Sequence, residues 1–251
     1  FVAGTVCGSF LNVLILRYDS VHDTILRNAK GRSRCPHCHK TLNWYELIPI
    51  FSFLIQRGKC RSCGEKLTLQ YPLVELLGGL IFILVFSRFY SIYDTSLLPY
   101  LMMIIWSGVL FSLLVMSVID FRERLIPDGV NIFIVVSGFF LIIAQYFYPV
   151  LASLDVGGRS LLGNYALIFP GGTNFPWNHL FGALFGLVLF GGLFLLSRGR
   201  GIGFGDVKLA GAIGFFMGYP DAALALVSSF IIGALFSLIL IGLRLKTMKD
   251  F

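Results

Sequence analysis

The 251 residues carry 20 Lys and Arg against 13 Asp and Glu, a formal net charge of +7, and 57% are hydrophobic while 13% are charged. An average soluble domain carries roughly a quarter charged residues, so this composition excludes a disordered chain and an ordinary soluble enzyme. The apolar residues fall in long blocks, which suit a bilayer, and the placement of the basic residues assigns them to membrane topology; no nucleic-acid partner is expected.

A bilayer core of about 30 Å takes about 20 apolar residues per helix. The first block, 1–16, opens on Phe1 without the basic lead-in of a signal peptide and reads as a clipped first span. A polar segment follows over 17–70 and holds 10 of the 20 Lys and Arg with only four acids. Apolar blocks at 72–87, 97–119, 129–149, 178–197, 207–219 and 221–243 bring the candidate helices to seven. The block 207–219, closed by Pro220, is short for a full crossing, and 150–177, rich in Gly, Pro and Asn, reads as an external loop. No internal repeat is apparent. Lys and Arg collect in cytoplasmic loops. Threading seven spans with 17–70 in the cytoplasm puts Arg122 with Arg124, Arg198, Arg200 and Lys208, and Arg244, Lys246 and Lys249 on that same side. The expected fold is an α-helical polytopic membrane protein of about seven transmembrane helices with a small cytoplasmic domain. Its parts are a first helix at 1–16, a cysteine domain at 17–70 and a transmembrane domain at 71–251.

Within the polar segment, Cys35-Pro-His-Cys38 and Cys60-Arg-Ser-Cys63 are two CxxC pairs with 21 residues between them. Four thiolates so spaced can close a tetrahedral zinc site of the ribbon type, and a metal would supply stability that a small core cannot. Reduced or redox-active thiols are the alternative, and His37 or His39 could substitute as ligands. Cys7, in an apolar helix, reads as a thiol with no role. The stretch Asn43–Phe53 is too apolar for a solvated loop. It fits either the membrane surface, with Trp44 and Tyr45 at headgroup level, or a core contact inside the small domain.

Charged groups within or beside spans are costly and point to function. Asp120 ends the third block and Asp206 opens the short sixth one, both at the cytoplasmic ends of their helices in this threading. Two carboxylates meeting at one depth can share a proton, one acting as base on water and the other as acid on a scissile amide. Gly203 and Gly205 remove side chains before Asp206 and leave room for an extended substrate backbone. The competing reading is an Asp that caps a helix N-terminus, and capping is also the simpler role for Asp128. Lys208 could bias the proton on the pair or bind lipid phosphate. Glu75, in an apolar helix, could pair with a basic group of the polar segment or help to bind substrate or cofactor. Asn12 reads as interhelical glue.

Taken together, Gly8-Ser9-Phe10-Leu11-Asn12-Val13, Ser33–Cys38, Gly58–Cys63, Tyr71–Leu76, Ile119-Asp120 leading to Ile126-Pro127-Asp128, and Gly203–Leu209 resemble the bacterial type IV prepilin peptidases, the bifunctional leader peptidase and N-methyltransferase family. The resemblance implies an inner-membrane aspartic protease of the GxGD type, with Asp120 and Asp206 as its catalytic pair. It also implies prepilin and pseudopilin substrates, cut after a Gly at the cytoplasmic face. The new N-terminal amine is then methylated from S-adenosylmethionine. The Cys35, Cys38, Cys60 and Cys63 domain is the part that marks bifunctional members. Gly58, Lys59 and Glu75 are the candidates for the methyl donor, and Gly203, Gly205, Lys208 and Asp128 for support of substrate or of the pair. The family pattern also carries one more helix after 244–251 and a shorter loop than 150–177. Two alternatives stay open: a GxGD protease without methyl transfer, and an ion-relaying transporter using the same two aspartates.

Overall fold

The computed structural model describes residues 1–18, 31–90, 98–147 and 177–243. The seven apolar blocks all form helices: α1 (Val2–Leu16), α3 (Gln70–Tyr90), α4 (Leu98–Glu123), α5 (Asp128–Phe147), α6 (Trp177–Ser197), α7 (Phe204–Met217) and α8 (Asp221–Gly242). The cysteine segment adds a 3-10 turn at Trp44–Leu47 and one short helix, α2 (Phe51–Ile55). Among the described residues there is no β-strand, and the architecture is that of an α-helical polytopic membrane protein.

By length and composition, four helices can cross a membrane: Gln70–Phe89, Tyr100–Glu123, Trp177–Ser197 and Asp221–Ile239. Val2–Leu16 and Asp128–Ala144 are apolar but shorter. The 14 residues of α7 rise only about 21 Å at about 1.5 Å per residue, less than the bilayer core. The expectation of seven crossings thus meets seven helices, of which four have the length. The expected loop at 150–177 lies, but for Trp177, outside the described residues, as do 19–30 of the cysteine domain and the end at 244–251.

The chain forms two compact units, 1–133 and 134–251. In the first, α1 packs on α3 and both meet α4 around Leu11, Leu14, Ile15, Val74, Leu114, Val115 and Ile119. Lipid tails are as apolar as leucine, so helices in a bilayer associate through close packing rather than through escape from water. Small residues provide it here: a Cβ on Gly8 would stand 2.8 Å from the Glu75 Cα, and one on Gly78 would stand 2.7 Å from the Gly4 carbonyl. The second unit uses the same device more tightly. Gly182 and Gly186 of α6 lie directly on Gly214 and Ala210 of α7. Large side chains such as Ile104, Val188 and Leu238 point outward, as on helices that face hydrocarbon.

The cysteine segment contains a repeat that the sequence reading did not find. Cys35 N–H donates to the Lys40 carbonyl at 3.0 Å and Leu42 N–H to Ser33 at 2.9 Å; 25 residues on, Cys60 N–H donates to Glu65 at 2.8 Å and Leu67 N–H to Gly58 at 2.7 Å. Each knuckle is closed by one bridge, Arg34 with Thr41 and Lys59 with Lys66. Each turns through a left-handed residue, His39 at φ 57° and Gly64 at φ 72°. Only the cysteines and the leucine recur as identical residues, so the backbone repeats where the sequence hardly does.

Packing of this kind predicts a contrast between two glycines. Gly214→Ala should separate α6 from α7 and cost about 1–3 kcal/mol of stability. Gly233→Ala, where an added Cβ meets nothing within 4 Å, should be neutral or stabilising by about 0.5–1 kcal/mol. Unfolding in detergent measures both, and equal effects would contradict the packing described.

Candidate functional site

The two knuckles bring Cys35, Cys38, Cys60 and Cys63 together, with all four sulfurs within 4.8 Å of one another. Tetrahedral zinc with Zn–S near 2.3 Å needs sulfurs about 3.8 Å apart, and the Cys35 and Cys63 sulfurs are 4.0 Å apart. The four sulfurs can therefore hold a metal ion such as zinc. Cys35 and Cys60 are buried, and Cys38 and Cys63 are exposed. The backbone N–H groups of Cys63 and Ser62 beside Cys60 hold its thiol down to about 6, so a thiolate stands ready at neutral pH. Cys63 has the Glu65 N–H beside it, yet desolvation and the sulfurs of Cys60, Cys38 and Cys35 together push it up to about 11. A cluster that ionises one thiol readily and resists another is one that a cation completes.

Against this cluster lies a cavity of about 570 Å³, within the size range of small-molecule pockets. It is walled by α1, by the knuckles and by the start of α3. Glu75 lines it and is 7% exposed. Ile50 N–H donates to Glu75 Oε2 at 2.7 Å, and the Ser9 hydroxyl also bonds this carboxylate. These partners carry no charge, and among the described residues no basic group pairs with Glu75. Ile50 itself sits at φ 62°, a region β-branched residues rarely enter. Gly58 and Lys59 are not among the lining residues. Gly58, at φ 67°, stands behind the lining residue Phe53, whose ring an added Cβ would meet at 3.1 Å, and Lys59 lies in the bridge to Lys66.

Sequence reasoning passed over Asn12 and Ser9 as cavity residues. Asn12 does bond helix to helix, its Nδ2 donating to the Tyr71 carbonyl at 3.1 Å, but it also lines the cavity. The signal was available: two polar residues three apart share one face of an otherwise apolar helix.

The stretch is divided: Trp44 and Phe51 are exposed, at 77% and 66%, while Phe53 is half-buried against Gly58 and the cavity. Trp44 and Tyr45 meet edge to face at 5.8 Å, and Arg61 lies over the Tyr45 ring at 5.3 Å.

The two aspartates belong to different units. In the first, Ile119 is buried in the core at 1% exposure, and Asp120, one helical step of about 100° further on, is exposed within a turn of the end of α4. In the second, Asp206 is half-buried in the first turn of α7. Its Oδ2 accepts the Gly203 N–H at 3.0 Å. A Cβ at Gly203 would stand 3.3 Å from that oxygen, close enough that the carboxylate would have to shift by a few tenths of an ångström. Helix α7 runs back along α6: Tyr219 N–H donates to Asn178, Gly214 lies on Gly182, and Val207 approaches Gly191. Asp206 is therefore level with the region of Gly191, six residues or about 9 Å short of Ser197 where α6 ends. Lys208 lies over the Phe204 ring at 5.4 Å, and Gly205 is half-buried beside Asp206. Asp128 is the first residue of α5, behind the buried Pro127.

Residues 2–89 match the bacterial peptidase A24 N-terminal domain, and residues 107–238 match the type IV leader peptidase family. Proteins named prepilin leader peptidase/N-methyltransferase are similar over most of the chain. The one from Bacillus subtilis is 34% identical over 237 residues, 94% of this chain and 79% of the relative. The one from Myxococcus xanthus is 35% identical over 222 residues, 86% of this chain, which spans 55% of that relative's length. A third, from Klebsiella pneumoniae, is 28% identical over 225 residues, 87% of this chain and 84% of the relative. No solved structure matches. With one match spanning more than half of its residues and a second covering its N-terminal part, this chain belongs to the type IV leader peptidase family.

Proposed function

We propose that the protein removes the short basic leader from type IV prepilins and pseudopilins by cutting after a Gly at the cytoplasmic face of the inner membrane, and then methylates the new N-terminal amine. The observation that carries this reading is the seating of Asp206. It is recessed along α6 and held by the Gly203 N–H, with glycines before it that leave a peptide backbone room to approach. A prepilin's apolar helix already lies in the bilayer, so its cleavage site stands at the interface, where such a carboxylate can reach it.

In this reading Asp120 and Asp206 form the catalytic pair. One carboxylate takes a proton from water as the water oxygen attacks the scissile carbonyl carbon. The other gives its proton to the amide nitrogen as the C–N bond breaks. Gly203 and Gly205 admit the substrate backbone, while Lys208 and Asp128 act beside the pair on substrate or lipid. The domains follow the function: a first helix at 1–16, a cytoplasmic cysteine domain at 17–70 and the peptidase helices at 71–251.

Methyl transfer belongs to the cavity. S-adenosylmethionine, when bound, supplies an electrophilic methyl group, and Glu75 contributes to its site directly, with Gly58 acting through Phe53 and Lys59 through the second knuckle. Zinc on Cys35, Cys38, Cys60 and Cys63 holds the two knuckles together, and with them the cavity wall that includes Cys35, Cys60, Leu42 and Leu67.

Detergent-purified protein incubated with a prepilin and labelled S-adenosylmethionine tests both activities. Asp120→Asn and Asp206→Asn should each lower leader removal by at least about a thousandfold, in the range of general acid–base contributions, while the variants keep their thermal unfolding profile. Cleavage persisting in either variant would reject the pair, and cleavage without methyl incorporation would remove the second activity.

Freshly reduced protein should contain a single zinc ion per chain, and a Cys35→Ser, Cys60→Ser double variant should contain none. Zinc needs thiolates, and the Cys63 thiol, pushed up to about 11, must lose its proton on binding. Apparent affinity should therefore fall with falling pH, by about tenfold per pH unit for each proton released, between about pH 8 and about pH 6. A competition titration against a chelator reads this, and an affinity independent of pH would contradict four-thiolate ligation.

A further inference from the structure

Two buried acceptors in the cavity are not used up by the protein. Asn12 is 2% exposed, and its Nδ2 is committed to the Tyr71 carbonyl, which fixes the amide orientation and leaves Oδ1 as the uncommitted acceptor of a residue that lines the cavity. Among the described residues that oxygen has no hydrogen-bond partner. A buried acceptor without a partner is costly, and this one is open to a donor brought by a ligand. Glu75, 7% exposed, lines the same cavity. A carboxylate offers about four lone-pair sites, and the Ile50 N–H and the Ser9 hydroxyl take up only part of them. The cavity also has basic lining residues. Arg32 and Arg34 are exposed, and the half-buried Arg17 donates to the carbonyls of Gly31 and Arg32. The deeply buried polar groups are thus acceptors, and the cations stand toward solvent.

From this distribution we infer that Asn12 Oδ1 and the Glu75 carboxylate form a seat for a primary ammonium group. An ammonium brings three N–H donors and a positive charge on one small atom, which meets the unpartnered amide oxygen and the open lone pairs of the carboxylate at once. The inference rests on the N-methyltransferase reading, under which two molecules carry this group into the cavity: S-adenosylmethionine, through the amine of its amino-acid end, and the cleaved substrate, through its new N-terminal amine. Glu75 and Asn12 are in either case binding residues, and the Ile50 N–H orients the carboxylate.

The test is equilibrium binding to the full chain in detergent, with wild type compared with Glu75→Gln and Asn12→Leu. Glu75→Gln keeps an oxygen for the Ile50 N–H and removes the charge. Unchanged thermal unfolding shows that a variant is folded, and Asn12→Leu carries the test should Glu75→Gln not fold. The ligands are S-adenosylmethionine, S-adenosylhomocysteine (amine kept, sulfonium lost), methylthioadenosine (amine lost), and a peptide of the mature pilin N-terminus with a free or an acetylated amine. A seat for the donor's amine predicts that Glu75→Gln weakens the first two by about ten- to a hundredfold, the usual scale for a hydrogen bond to a charged group, and leaves methylthioadenosine unchanged. A seat for the substrate amine predicts the same loss for the free peptide and none for its acetylated form. Equal affinities in wild type and variants for every amine-bearing ligand, or no binding of any of them by wild type, would overturn the seat. Wild-type cleavage and methylation, measured on the same preparation, separate that failure from a failure of the enzymatic reading.

Discussion

A carboxylate in hydrocarbon costs several kcal/mol unless something partners it or it stands near the helix end where water and headgroups begin. The acids of the described spans obey this constraint by position. Asp128 and Asp221 are first residues of their helices, Asp206 is third, and Asp120 lies within a turn of the end of α4. Glu75 is the exception, sixth in α3 and buried. It is tolerated because the cysteine segment delivers a backbone N–H to it at Ile50, on a loop bent into an unfavourable region to do so. The small domain is thereby fastened to the bundle through a polar contact that a freely tethered domain would lack.

That fastening gives the cysteine cluster a consequence beyond its own stability. The knuckles contribute Cys35, Cys60, Leu42 and Leu67 to the cavity wall, the turn and short helix between them contribute Leu47 and Phe53, and α1 and α3 contribute residues such as Asn12 and Glu75. Whatever orders the four sulfurs also orders that wall. The same helices close on each other through Gly4, Gly8, Gly78 and Gly79, so the depth of the cavity floor depends on backbone contacts that no larger residue would permit.

Much of the fold was legible because its signals are local. Each apolar block became a helix, since a run of apolar residues without Pro leaves the backbone no partner but itself in lipid. The cysteine pairs were legible because ligand spacing is set by the turn within each knuckle. The repeat of 25 residues was not, because it resides in hydrogen bonds between Ser33 and Leu42 or Gly58 and Leu67, and backbone groups are the same whatever the side chain. The cavity was illegible for a different reason. Asn12, Phe53 and Glu75 are distant in the chain, and nothing in any one segment announces the other two. From its place on an apolar helix Asn12 is glue between helices, which is half of what it does: one amide atom makes the contact and the other is left without a partner among the described residues.

The short helix α7 joins packing to chemistry. Its glycines and alanine at 210, 211 and 214 press it onto α6, and its 14 residues end a turn short of its neighbour's reach. A longer, bulkier helix would carry its first turn out level with Ser197, the end of α6. Shortening the helix draws Asp206 back by about 9 Å while the segment Arg198–Gly203 returns along the outside of α6, with Gly199 N–H bonded to Phe194 and Arg200 N–H to Ser197. The recess exists because small residues bind α7 at one height and the glycine-rich turn starts it late. The recess and the carboxylate therefore depend on the same run of sequence, and a change that loosens the packing moves the acid.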